Sequence, residues 1–214
     1  MNNKKIIILC LSFFTYSMTC EAEDIFKNPL YAGATFAYGT TTWGFLVPVA
    51  GNAAINTSVP DEVHEGGESW GLLAGYEFLP TFAMELAYDH YPRAKVMYVD
   101  DSFFEFYHDG RTAFYTNTET FSLLGKFMVL IPKNENFRAF ASGGAAVVHR
   151  YDFVYDKYQL TAKFAIGGNF GLNENLMMEF GIDYTAGNAV SEDCPENHFI
   201  PFLYSVFTRL VFRI

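Results

Sequence analysis

Hydrophobic and polar residues alternate along most of this chain with a period of two, the repeat a β-strand imposes because successive side chains leave it on opposite faces. In Thr81–His90, Phe82, Met84, Leu86 and Tyr88 share one face, and Ala83, Glu85, Ala87 and Asp89 share the other. Read this way, the pattern predicts eight strands: Leu30–Tyr38, Ser69–Phe78, Thr81–His90, Thr118–Ile131, Phe137–His149, Gln159–Leu172, Leu176–Thr185 and Phe199–Ile214. Soluble strands average about 5–6 residues, whereas a tilted membrane-spanning strand needs about 9–11. Every predicted strand reaches the second length. A soluble sandwich has no reason to set carboxylates repeatedly opposite a face of rings and aliphatics, but a barrel with lipid outside and a polar interior does.

The connections sort by length. Short turns fall around Pro80, at Pro132–Asn136 and at Asn173–Asn175; long loops fall at 39–68, 91–117, 150–158 and 187–198. In an antiparallel arrangement the two kinds lie at opposite ends. The expectation is an all-β fold: an eight-stranded antiparallel transmembrane β-barrel of the outer-membrane type, with short periplasmic turns, long outer loops and periplasmic termini.

The first residues, Met1-Asn2-Asn3-Lys4-Lys5, precede an apolar run from Ile6 to Phe14 and a small residue at Ala22. This is the layout of a secretory leader, expected over 1–22, with the barrel domain over 23–214. A lipoprotein acylated at Cys20 would want a different lead-in from Ser17-Met18-Thr19, and a retained helix would have to absorb the polar stretch Ser17–Asp24. Of the three cysteines, Cys10 and Cys20 lie in the leader; with Cys194 alone, neither an intrachain disulfide nor a cysteine metal cluster is expected. A formal net charge of −10 argues against a nucleic-acid partner. Aromatics at 18% suit the ring girdles of a barrel.

The inward face collects Glu77, Glu85, Asp89, Lys126, Arg138, Lys163, Glu179, Asp183, Arg209 and Arg213. An eight-stranded barrel is only wide enough to be filled by its own side chains, and charges there must be paired or hydrated. The expectation is a plug of cross-barrel salt bridges, with Lys126, Lys163 and Arg209 balanced by Glu77, Glu85, Glu179 and Asp183. The alternative is a narrow pore for ions or small solutes through the same network.

Two hairpins carry a family resemblance. Gly75-Tyr76-Glu77-Phe78-Leu79-Pro80-Thr81-Phe82-Ala83-Met84-Glu85-Leu86-Ala87-Tyr88 resembles the second hairpin of the OmpA-like outer-membrane β-barrel domain family, and the run Phe170–Tyr184 resembles the hairpin joining its strands six and seven. The resemblance implies the fold and an outer-membrane location, with the barrel-assembly machinery as a partner. It says little about function, because the superfamily includes anchors, adhesins and evasion factors. The terminal signal of the family usually closes on an aromatic residue, where this sequence has Phe212-Arg213-Ile214. The peptidoglycan-binding domain of larger members is not expected.

Loop 91–117 interleaves rings with acids. Tyr98, Asp100, Asp101, Phe103, Phe104, Phe106 and Tyr107 form the candidate recognition surface. The competing account is that the flanking strands continue past the membrane and these rings pack on the first loop. His64, His90, His108, His149 and His198, with the loop acids, show no compact metal-ligand spacing, so no metal or cofactor is expected. A lipid-modifying enzyme would need a serine beside a histidine; Ser142 and His149 lie seven positions apart, on opposite strand faces. No enzymatic activity is expected. The reading is a monomeric, surface-exposed structural or adhesion-like protein in the bacterial outer membrane, touching lipid, lipopolysaccharide and host or neighbouring-cell molecules. Detergent-refolded protein is expected to give a β-rich circular dichroism spectrum and a gel mobility that changes on boiling.

Overall fold

The computed structural model describes residues 28–46, 60–98, 108–131, 134–188 and 199–214. The expected leader lies outside them. Ten strands occur in chain order: β1 Leu30–Thr40, β2 Glu62–His64, β3 Gly67–Leu79, β4 Phe82–His90, β5 Ala94–Met97, β6 Ala113–Ile131, β7 Asn134–Tyr151, β8 Asp156–Gly171, β9 Leu176–Thr185 and β10 Leu203–Arg213. Eight of them close an antiparallel barrel: β1 pairs with β3, β3 with β4, β4 with β6, and so on through β7, β8 and β9 to β10, which pairs back to β1. No sheet edge is left in the membrane, which removes the unpaired backbone groups that hydrocarbon cannot hydrate.

The outward face is apolar on every barrel strand. Phe36 is 66% exposed, Leu160 71% and Val206 63%, values that only lipid can cover comfortably. Two belts of rings bound this surface. At the long-loop end, Trp70 meets Tyr88 at 5.6 Å, Tyr88 meets Phe121 at 4.9 Å and Tyr184 meets Tyr204 at 5.0 Å. At the short-turn end, Tyr76 meets Phe78 at 4.8 Å and Phe82 meets Phe127 at 5.1 Å. Trp70 and Phe78 lie in opposite belts on one strand, roughly 27 Å apart along it, or roughly 20 Å along the normal at ordinary tilt.

At the short-turn end, β7 starts at Asn134, within the stretch read as the turn Pro132–Asn136; the larger departures from the sequence reading lie at the long-loop end. β6 starts at Ala113 instead of Thr118, and β7 and β8 run on to Tyr151 and from Asp156. These extensions stand beyond the lipid, so the apolar-out, polar-in alternation stops marking them. Two short strands, β2 and β5, fall within stretches read as loop: β5 pairs with Ala113–Thr116 of β6, and β2 pairs with β5. Conversely, β10 begins at Leu203 and not at Phe199. Ile200 instead bridges to Asn188, and Pro201, which has no N–H to give, separates that bridge from the ladder. Gly66, at φ 88°, takes the left-handed conformation needed for the abrupt return from β2 to β3.

Inside, Tyr31, Leu73, Ala83, Met128, Phe140, Met177, Phe207 and Val211 pack into an apolar filling between the charged side chains. Gly75 is required by this filling, because a Cβ there would overlap the Tyr31 ring. The substitution Gly75→Ala should therefore lower stability by about 1–3 kcal/mol through overpacking. The check is the midpoint of urea unfolding in lipid vesicles; an unchanged midpoint would mean the ring moves aside freely.

Candidate functional site

The ten inward charges are all buried, and they sort into three tiers along the barrel axis. Nearest the short turns, Glu77 holds both Arg138 and Arg213, the latter at 2.5 Å. Arg138 also donates from Nε to Asn169 Oδ1 at 3.1 Å. In the middle, Lys126 donates to Glu85 at 2.7 Å and to Glu179, while Arg209 Nη1 lies 3.5 Å from a carboxylate oxygen of each acid. Tyr31 adds a hydroxyl to Glu85 at 2.8 Å. Nearest the long loops, Lys163 sits between Asp89 at 2.6 Å and Asp183 at 3.7 Å.

The two outer tiers do not balance singly. The first holds one carboxylate against two guanidinium groups, the second two against two, the third two against one ammonium. The middle tier is neutral by itself, and the excesses of the other two cancel over the column as a whole. Two rings pack on the cations of the middle tier: Lys126 Nζ lies 4.4 Å over Phe140, and Arg209 lies 4.2 Å over Phe207. Glu77 is bound by Arg138 and Arg213, and not by the cations first matched to it. Those arginines enter from strands β7 and β10, which meet Glu77 across the lumen and not in sequence.

Above the third tier a buried apolar cluster follows. Tyr91, Val148, Ile200 and Leu203 form it, and the Tyr91 hydroxyl reaches Asp183 at 3.4 Å. A second layer stands beyond the membrane. There Trp43, Ala94, Val96, Tyr98, Phe114 and Phe199 make a separate hydrophobic core, with Trp43 edge-on to Phe199 at 4.9 Å and Tyr98 stacked on Phe114 at 5.8 Å. Arg150 is fully buried in this cap: it is paired with Asp152 at 2.8 Å, donates to the Phe199 carbonyl at 2.7 Å and lies 4.4 Å over Trp43. Asp152 in turn accepts the N–H groups of Val154 and Tyr155, fixing the β7–β8 turn. Glu65 accepts the backbone N–H of Trp43 at 2.5 Å and of Gly44 at 3.2 Å, which orients the short 3₁₀ turn Trp43–Leu46.

This geometry corrects one residue of the recognition surface: Tyr98 is a core residue of the cap, 5% exposed, because β5 folds it down onto Phe114. Asp100, Asp101, Phe103, Phe104, Phe106 and Tyr107 lie outside the described residues. So does His198, with its neighbours Ser191 and Glu196. Ser142 faces the lumen, whereas His149 faces outward and stacks on Tyr158 at 4.0 Å, so the two are not brought together. Among the described residues no three metal-ligating side chains converge. Trp43, Arg150, Asp152 and Glu65 carry the cap, yet the sequence reading gave none of them that role, taking Glu65 only as one of the outer-loop acids. The one available signal was the isolated Trp43 in the apolar run Trp43-Gly44-Phe45-Leu46.

A closed eight-stranded barrel with a lipid-facing exterior, a charged interior and a capped mouth defines a small outer-membrane protein. Residues 28–192 match the model of the OmpA-like transmembrane domain, and the chain belongs to that family. It lies in the bacterial outer membrane, with the short turns periplasmic and the long loops outside. Its fold is similar to that of Neisserial surface protein A, at 9% identity and a TM-score of 0.55 over 87% of this chain and 97% of that one. It is also similar to the outer-membrane protein OprG of Pseudomonas aeruginosa, at 10% identity and 0.52 over 87% and 97%. No curated protein sequence matches the chain.

The middle tier generates a stability test. Glu179→Gln leaves Lys126 and Arg209 sharing Glu85 in a dry interior, and is expected to cost roughly 3–5 kcal/mol. Combining it with Lys126→Met, which removes the cation left short of a partner, should recover part of that loss. Urea unfolding in vesicles measures both; a single-variant cost below about 1 kcal/mol would mean that water fills the gap.

Proposed function

We propose that the protein is an adhesion-like interaction protein of the cell surface, with its barrel as a plugged anchor and its outer loops as the contact surface. The observation that carries this reading is the cap. A barrel needed only to span the membrane has no use for a second hydrophobic core outside it, built around Trp43, Phe114 and Phe199 and held by the buried Arg150–Asp152 pair. Such a core makes a rigid platform, and rigid platforms are what position binding loops. The neutral column of ten charges beneath it, with Tyr91 and Ile200 packed above, supports a plug over a passage. The acids and rings of the sequence 99–107 are the groups proposed to bind lipopolysaccharide sugars, host molecules or neighbouring cells.

A narrow pore is the second reading, and the middle tier is what favours it: Lys126 and Arg209 each touch both Glu85 and Glu179, so more than one pairing satisfies the same four charges. Two measurements separate the readings. Planar bilayers containing the protein are expected to show no steady single-channel openings. Cells displaying it should lose attachment to their target surface when residues 99–107 are replaced by a Gly/Ser linker. Steady openings that survive the linker and vanish with Glu179→Gln would replace the adhesion reading by the pore.

A further inference from the structure

On one side of the outer girdle the rings give way to polar side chains that neither the lumen nor the cap uses. Trp70 on β3, His90 on β4, Glu119 on β6, His149 on β7 and Tyr158 on β8 are successive cross-strand partners. They form a single outward-facing row across five strands, roughly 19 Å from end to end at ordinary strand spacing. The row is joined side chain to side chain. The Trp70 and His90 rings are 5.6 Å apart, His90 Nδ1 is 3.4 Å from Glu119 Oε1, and His149 Nδ1 is 3.9 Å from Glu119 Oε2. His149 stacks almost flat on Tyr158 and meets Asp156 through Nε2 at 2.8 Å, and the Tyr151 hydroxyl donates to Glu119 at 3.1 Å.

An outward carboxylate at the border of the hydrocarbon is a cost to the fold unless it is held by polar groups. Here that hold is elaborate, and the side chain of Glu119 is still 20% exposed. One outward step toward the membrane centre, the row becomes Leu72, Tyr88, Phe121, Val147 and Leu160; the next brings Ala74, Leu86, Leu123 and Ala145. Large side chains around Ala74 and Ala145 leave an apolar groove of about 550 Å³ on the lipid face. The polar row stands one outward step beyond the groove-lining Leu72, Tyr88, Phe121, Val147 and Leu160, on the long-loop side.

We infer that this groove and row together form a binding site for one acylated sugar lipid of the outer leaflet. An acyl chain occupies the groove between Leu86, Phe121, Leu123 and Leu160. The sugar packs a face against the exposed rings of Trp70 or Tyr158, and its hydroxyl or amide groups donate to Glu119 and Asp156. Glu119 on the row and Asp156 beside His149 make hydrogen-bond donors, and not a bare phosphate, the complementary ligand groups. The site depends on the barrel lying in the outer membrane and not on what the outer loops bind.

The test places the full barrel in phospholipid nanodiscs doped with one of three probes: a phosphate-free acylated glucosamine disaccharide, its bisphosphorylated form, or phosphatidic acid. After affinity capture, the probe retained by each barrel is measured against its bulk share. Both sugar lipids should be enriched and phosphatidic acid should not. Glu119→Ala and Ala145→Phe, one removing the polar hold and the other filling the groove, should each cut enrichment about tenfold, the equivalent of one hydrogen bond to a charged group. Thr208→Phe, which adds the same ring to the lipid face of β10 away from the groove, should leave it unchanged. Folding of each variant is checked by its heat-modifiable gel mobility; Glu119→Ala at the rim carries the test if Ala145→Phe does not fold. Retention at the bulk share for every probe, equal enrichment of phosphatidic acid, or equal loss in Thr208→Phe would overturn the site. Exchange of residues 99–107 for a linker should not alter retention, which separates this outcome from failure of the adhesion reading.

Discussion

The structure depends on the mutual neutralisation of Glu85, Glu179, Lys126 and Arg209 in the middle of the barrel. Each of these groups is buried, and none could be left there alone, since an unpaired ion in so dry an interior costs several kcal/mol. The four come from β4, β9, β6 and β10. Glu85–Lys126 and Glu179–Arg209 join adjacent strands, whereas Lys126–Glu179 and Arg209–Glu85 reach across the lumen between strands that are not neighbours, and all four form only if every strand keeps its register. A slip of one residue would turn Glu85 or Arg209 to lipid and a ring into the lumen, so hydrophobic exterior and ionic interior enforce the same alignment.

The interior also explains why the two outer tiers can be unbalanced one by one. Excess positive charge near the periplasmic turns faces excess negative charge near the mouth, across a neutral centre. Beside the tier with the larger share of carboxylates, Tyr91, Val148, Ile200 and Leu203 pack as a buried apolar cluster. The extracellular cap then adds a second buried cluster in which Arg150 serves as both cation and packing surface, lying against Trp43 and bridging to Phe199. Membrane anchor and outer platform are thus two cores in one chain, joined by the long strands β6, β7 and β8.

Much of the barrel was legible in the sequence because the rule that forms it is local. Alternation with a period of two, sustained over nine residues or more, identifies a lipid-facing strand wherever both faces keep their character. It sent all ten charges inward, including Arg138 on β7, whose outward side is no more than small residues such as Ala139, Ala141, Gly143 and Ala145. The same rule fell silent at Ala113–Asn117, at β2 and at β5. Above the membrane a strand meets water or another core, and alternation no longer separates two solvents.

The sequence by itself determined the fold class, the strand faces and the set of charges sent inward, because each follows from the period of a strand and the polarity of its two surroundings. Only the tertiary structure decided which charge meets which. It set Glu77 against Arg138 and Arg213, folded Tyr98 into the cap, and aligned Trp70, His90, Glu119, His149 and Tyr158 in one outward row. Those outcomes depend on the stagger of strands around a closed barrel and on loops that fold back over its mouth. That stagger relates residues tens of positions apart, and no local pattern along the chain encodes it.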